Sequence, residues 1–256
     1  MNTASSPITL LAALWAATLL GACSLDQLSQ GLSVQPAKTV IAAPVMPSKL
    51  KQLTTIHLSG TPDVTQPLGN TLASRGYVIK NDATLAVFHI TTAPTQGISE
   101  ESTSAPLMGI LRKNTSTATY EIPFTIKDAI GNTLHSGNVV GFGDEDAGIY
   151  PRASSTSASS ASKAKSDALA QLPEAVLQVL PNLPWRAQVI GAQDAKTVML
   201  GLDASAGVEV GQTFSVLGKS DSILRITGFG PYGRALATPE KGPLPSAGQL
   251  VEPLKQ

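Results

Sequence analysis

The stretch Thr117-Ala118-Thr119-Tyr120-Glu121-Ile122-Pro123-Phe124-Thr125-Ile126-Lys127 alternates apolar and polar residues over its whole length. A period of two puts Tyr120, Ile122, Phe124 and Ile126 on one face of a strand, ready to be covered by another layer. Asp128-Ala129-Ile130-Gly131-Asn132 then supplies turn residues, and Thr133 to Phe142 returns with the same pattern. The two halves read as a β-hairpin with one buried face.

The flanks of the hairpin say what covers that face. On the N-terminal side, Leu53 to Leu58 reads as a strand. Thr61-Pro62-Asp63 opens a helix in which Leu68 and Leu72 recur at helical spacing, and Gly76 stands where a terminating glycine belongs. Tyr77-Val78-Ile79 is a short extended piece, and Thr84 to Thr92 reads as a further strand. The segment from Ala93 to Pro106 has no clear period and is expected to be loose. On the C-terminal side, Ala153 to Ser166 is rich in Ser and Ala. A helix is expected to follow it to about Leu180, with Leu169, Leu172, Val176, Val179 and Leu180 on one side and Pro173 as a kink or restart.

Pro181 and Pro184 bracket a change of texture. Beyond Trp185 the chain reads as short strands at Arg186–Ile190, Thr197–Leu202, Thr213–Leu217, Ile223–Thr227 and Arg234–Thr238. Turn signals at Gln193-Asp194, Ala206-Gly207, Gly218-Lys219 and Gly230-Pro231 separate them, which suggests a small barrel. The fold class expected is therefore α+β: a small α/β sandwich domain over 50–181, then a small all-β barrel over 182–256.

The two domains resemble known families. A strand, a helix ending in Leu72-Ala73-Ser74-Arg75-Gly76-Tyr77, Asp82-Ala83 leading into a strand, the hairpin and a closing helix resemble the α/β domains of envelope lipoproteins and of the TolB N-terminal and curli-secretion CsgG families. The run Ala206-Gly207-Val208-Glu209-Val210-Gly211-Gln212-Thr213-Phe214-Ser215-Val216 is similar to the C-terminal domain of the flagellar assembly protein FlgT. The resemblances imply non-catalytic domains that assemble envelope machines or polymers.

The N-terminus reads MNTASSPITLLAALWAATLLGAC. An apolar run of roughly 7–15 residues followed by small residues is a secretory signal, whereas a membrane span needs about 20. Leu20-Gly21-Ala22-Cys23 resembles the lipobox of bacterial lipoproteins, in which the Cys thiol and the new amine are acylated. The resemblance implies lipidation at Cys23, removal of residues 1–22, and, with Ser24 next, the periplasmic face of the outer membrane. An ordinary cleaved signal and a lone buried cysteine are the other readings of these residues. Residues 23–49, with Pro36, Pro44 and Pro47, read as a flexible tether. Cys23 is the single cysteine, so no disulfide can form within the chain.

Composition removes several functions. Lys plus Arg and Asp plus Glu number 18 each, so no basic excess is available for nucleic acid. Gly228-Phe229-Gly230-Pro231-Tyr232-Gly233 has dinucleotide spacing, but Pro231 denies it the following helix, and a turn is expected. Gly218-Lys219-Ser220 ends like a phosphate loop, yet Thr213 stands where the earlier glycine is required. Asp144, Glu145 and Asp146 lack the alternating spacing of a calcium loop and read as a solvated loop. His57 and His89 fall on neighbouring strands and are expected on one sheet face; His135 is the third histidine. No zinc motif accompanies them. The expectation is no catalytic residue, no metal and no cofactor. An adaptor joining the membrane, through lipid on Cys23, to envelope proteins or to itself is the leading function, and a glycan- or peptidoglycan-binding module is the alternative.

Overall fold

The computed structural model describes residues 54–94, 101–107, 111–146 and 156–254. Cys23 and residues 1–49, expected to form a signal segment and a tether, lie outside the described residues. The elements are β1 (Thr55–Ser59), α1 (Pro62–Ser74), β2 (Val78–Ile79), β3 (Phe88–Thr92), β4 (Glu101–Leu107), β5 (Leu111–Asp128), β6 (Thr133–Asp146) and α2 (Thr156–Val179). A single 3-10 turn, Leu180–Asn182, leads to β7 (Ala187–Ala192), β8 (Val198–Asp203), β9 (Thr213–Val216), β10 (Lys219–Phe229), β11 (Arg234–Lys241) and β12 (Leu250–Pro253).

The hairpin is the spine of a six-stranded mixed sheet. β2, β1 and β3 run parallel, β3 pairs antiparallel with the C-terminal end of β5, and β6 lies along the other side of β5. Asp128 fixes the hairpin register. Its Oδ1 accepts from the amides of Ile130 and Asn132 at 3.1 and 2.8 Å, and its Oδ2 accepts from the Asn132 amide group at 2.9 Å. Gly131 takes the positive φ of 91° that closes the loop.

Both helices cover one face of the sheet. Val64, Leu68 and Leu72 of α1 and Ala164, Ala168, Leu172 and Val176 of α2 are buried with Ile56, Phe88, Ile90, Ile122, Phe124 and Ile126. Each large apolar side chain buried in this way contributes about 1.5–3 kcal/mol. α1 ends as expected: the amides of Gly76 and Tyr77 return to the carbonyls of Ala73 and Leu72, with Gly76 at φ 92°. The close seating of α2 depends on glycine. A Cβ on Gly141 would lie 2.0 Å from the Ala164 carbonyl oxygen, and one on Gly143 would lie 2.0 Å from that of Ser160. Glycines two apart on β6 thus meet small residues four apart on α2.

Four expectations need correction. The segment from Ala93 to Pro106 contains β4, which pairs with β5 from Glu101–Thr117 to Leu107–Leu111. Its Ser/Thr alternation carries no apolar signal, so the pairing rests on the backbone ladder. Thr84 to Thr92 is not strand throughout. The Asp82 carboxylate accepts from the amide and hydroxyl of Thr84 and winds Ala83–Leu85 into a 3-10 turn before β3. Asp144, Glu145 and Asp146 are the end of β6, paired with Thr117, Ser116 and Thr115, and not a loop. Finally, α2 starts at Thr156 inside the Ser/Ala-rich run and passes through Pro173 without interruption. Pro173 is itself buried, and burial of Leu172 and Val176 beside it offsets the lost helical bond, which costs about 3 kcal/mol.

The second half is a closed six-stranded barrel in the order β10-β11-β8-β7-β12-β9. β12 was not read from the sequence, being only Leu250–Pro253, yet it closes the barrel between β7 and β9. Val189, Val198, Leu200, Phe214, Val216, Leu224, Ile226 and Val251 fill it, and Trp185 stacks on Phe214 with ring centres 6.1 Å apart. The passage between sheet and barrel belongs to the core. Leu180 and Trp185 are both buried, and the apolar cluster runs from Ile56 to Val251 without a break.

Candidate functional site

The residues that hold sheet to barrel converge at one seam. Lys80 follows β2 and Asp203 ends β8; the Lys80 Nζ donates to Asp203 Oδ2 at 2.5 Å. Burial alone would raise the Asp203 carboxyl. Hydrogen bonds from Lys80 and from Ser205, at 2.5 Å, outweigh it and hold the group below the usual carboxylate range. Arg234 opens β11, opposite Asp203, and its Nη2 reaches Asp82 Oδ2 at 3.3 Å and Thr84 Oγ1 at 2.9 Å. Hydrogen bonds from the hydroxyl and amide of Thr84, then the Arg234 charge, lower Asp82 as well. Gly201 completes the seam: a Cβ there would lie 2.4 Å from the Thr84 carbonyl oxygen, so only glycine lets β8 approach the 3-10 turn.

Beside this seam stands the turn that resembled a nucleotide fingerprint. Pro231–Gly233 is a single 3-10 turn joining β10 to β11, and no helix follows it, as the proline required. Gly230 donates to the Arg234 carbonyl at 2.8 Å, so turn and seam share a residue. Tyr232 has φ 61° and ψ 19°, the one non-glycine residue at positive φ among those described, and is 92% exposed. Phe229 on the same turn is also exposed. Val210 is exposed too; the neighbouring Gly211 amide donates to the Ile226 carbonyl, which brings that chain alongside the same end of β10. A bulky side chain in the left-handed region costs of order 1–3 kcal/mol, and such strain concentrates at ligand and partner sites.

The histidines divide between the faces of the sheet. His57 and His89 pair directly across β1 and β3 on the face opposite the helices, with ring centres 5.8 Å apart and planes at 62°. The spacing of strand residues anticipated this. His135 lies on the helix face, buried beside Phe124 at 5.9 Å, and burial lowers its ring below the ordinary value. Lys219 and Ser220 open β10 after a turn at Leu217-Gly218, as a hairpin reading requires. Among the described residues, no three His, Cys, Asp or Glu side chains gather as a metal site. No described helix is long and apolar enough to cross a membrane. The sequence signal at Tyr232 is an aromatic side chain inside a glycine-rich turn; its left-handed backbone and exposure are visible only in the fold.

No family model and no curated protein matches the chain. Solved structures align with about half of it. A minor lipoprotein from Acinetobacter baumannii is 13% identical, covers 52% of this chain and 95% of its own, and has a TM-score of 0.37. The PelC dodecamer from Paraburkholderia phytofirmans is 14% identical over 53% and 92%, with a TM-score of 0.26. Lipoprotein GNA1162 from Neisseria meningitidis is 14% identical over 50% and 99%, with a TM-score of 0.24. Overlap at this level fixes neither family nor activity.

Proposed function

We propose that the chain is a lipoprotein held through Cys23 at the periplasmic face of the outer membrane. In this reading it is a non-catalytic adaptor or assembly factor for an envelope machine of the flagellar, secretion or surface-polymer type. The observation that carries the docking role is Tyr232. A strained, fully displayed aromatic on a turn tied to a rigid seam is costly for the free protein and useful to a bound one. The lipobox-like run before Cys23 supports the anchor, and two or more acyl chains give stable attachment where one does not.

The test is in-cell crosslinking from a photoreactive residue at position 232, in native and Cys23→Ala backgrounds. Defined envelope partners captured from the membrane fraction, and lost when Cys23→Ala releases the protein, support the reading. Equal fractionation of both forms removes the anchor, and capture of nothing from position 232 removes the docking role. The alternative is a peptidoglycan-binding module, which the exposed rings of Tyr232 and Phe229 would serve by stacking on sugar. Pelleting with purified sacculi in the absence of other proteins distinguishes it.

A further inference from the structure

We propose that His57 and His89 form a two-imidazole site for a borderline transition-metal dication, of the Cu²⁺, Ni²⁺ or Zn²⁺ class, on the sheet face opposite the helices. The site is separate from the Tyr232 turn, so the two readings stand or fall independently.

The geometry suits a shared ion. Imidazole nitrogens bind such ions at about 2.0–2.1 Å, which places each ring centre about 3.2 Å from the metal and two ring centres about 5–6.4 Å apart. The rings of His57 and His89 are 5.8 Å apart on strands in direct register. His57 is oriented as a ligand would be. Its Nδ1 lies 3.0 Å from the Lys80 carbonyl oxygen, which can only accept, so Nδ1 carries the proton and Nε2 keeps its lone pair. The Nε2 of His89 is buried with no hydrogen-bond partner, an arrangement that calls for an explanation.

An open cleft of about 450 Å³ between α1 and the β2 edge, lined by Thr65, Gly69, Ala73, Ile79 and Lys80, also touches His57 and leaves His89 outside its lining. With two protein ligands the remaining positions fall to water, and Lys127, opposite His89 on β5, opposes any cation. Binding is therefore micromolar and exchangeable, and copper leads because affinity for a given nitrogen site peaks at Cu²⁺.

The experiment titrates the full chain, made without a polyhistidine tag, with CuCl₂ and NiCl₂ in a calorimeter. The imidazole nitrogen couplings of the copper form are read by electron paramagnetic resonance. One equivalent binds, with two imidazoles coupled. His57→Gln and His89→Gln each weaken binding about tenfold or more and leave one coupled ring. Lys127→Met tightens binding, because it removes the opposing charge. The proposal is overturned if the native chain binds no copper below millimolar concentration, or if a His57→Gln/His89→Gln chain with native melting keeps the native affinity. Should the His89 variant not fold, an affinity unmoved by Lys127→Met and His57→Gln overturns it equally.

Discussion

The ammonium of Lys80 and the carboxylate of Asp203 meet at 2.5 Å with side chains only 18% and 14% exposed, although they are 123 residues apart in sequence. The pair joins the end of β2 to the end of β8. A pair this far from water is worth little against well-packed apolar residues, but losing one partner strands a charge. Lys80→Met is therefore expected to destabilise the protein by about 3 kcal/mol, and Lys80→Met with Asp203→Leu to recover most of that. Urea unfolding of the native chain and these two variants checks it. Arg234 and Asp82 differ: Asp82 is half exposed, and Asp82→Asn should cost under about 1 kcal/mol.

Glycine at 201, 141 and 143 predicts a second class of lesions. Gly201→Ala drives a methyl group into the Thr84 carbonyl, and Gly141→Ala drives one into that of Ala164. Neither obstacle is the tip of a flexible side chain. Overpacking of this sort costs about 1–3 kcal/mol, and more where backbone must move. Thermal melting should show both variants destabilised. Limited proteolysis should cut Gly201→Ala first at the seam and Gly141→Ala first around α2. By contrast Gly228→Ala meets nothing within 4 Å and should melt like the native chain.

Much of this was readable in advance. The β5–β6 hairpin followed from Tyr120, Ile122, Phe124 and Ile126, and the end of α1 from Gly76, because apolar period and backbone freedom are local properties. β4 and β12 were not, since the Ser102-Thr103-Ser104 run carries no apolar period and Leu250–Pro253 is too short to show one. The start of α2 was hidden for a different reason. Ser160, Ala164 and Ala168 form its buried stripe, and small residues give a weak apolar signal until Gly141 and Gly143 are placed beneath them. The seam was illegible because Lys80, Asp82, Asp203 and Arg234 are distant in sequence. Tyr232 was in plain view, yet its left-handed backbone is a property of the folded turn.

Two windows of pH sensitivity follow from the shifted groups. His89 and His135 are held low chiefly by burial, so the unfolded chain binds more protons than the folded one as the pH drops. Their stabilising contribution is complete above about pH 6.5 and is lost as the pH falls through the folded values. The melting temperature should therefore fall between about pH 7 and pH 5, and His89→Gln should flatten part of that slope. Asp203 and Asp82 are also lowered, and their contribution persists until the pH drops below about 4. Melting curves across both windows separate the histidines from the seam.

Tyr232 offers the sharpest test, because stability and docking should move in opposite directions. Glycine adopts φ 61° without the clash that a Cβ brings, so Tyr232→Gly removes strain of order 1–3 kcal/mol and gives back a smaller amount in unfolded-chain entropy. The ring makes no buried contact to lose, being 92% exposed. The variant is expected to be about 1 kcal/mol more stable than the native protein in urea unfolding, with Tyr232→Ala unchanged or slightly less stable, since alanine keeps the Cβ. Pull-down from envelope extracts should show both variants stripped of the partners that position 232 contacts. A stabilised Tyr232→Gly that kept every partner would mean that the turn is merely strained. If stability fell and partners were lost together, Tyr232 would be a structural residue of the barrel and the docking surface would lie elsewhere.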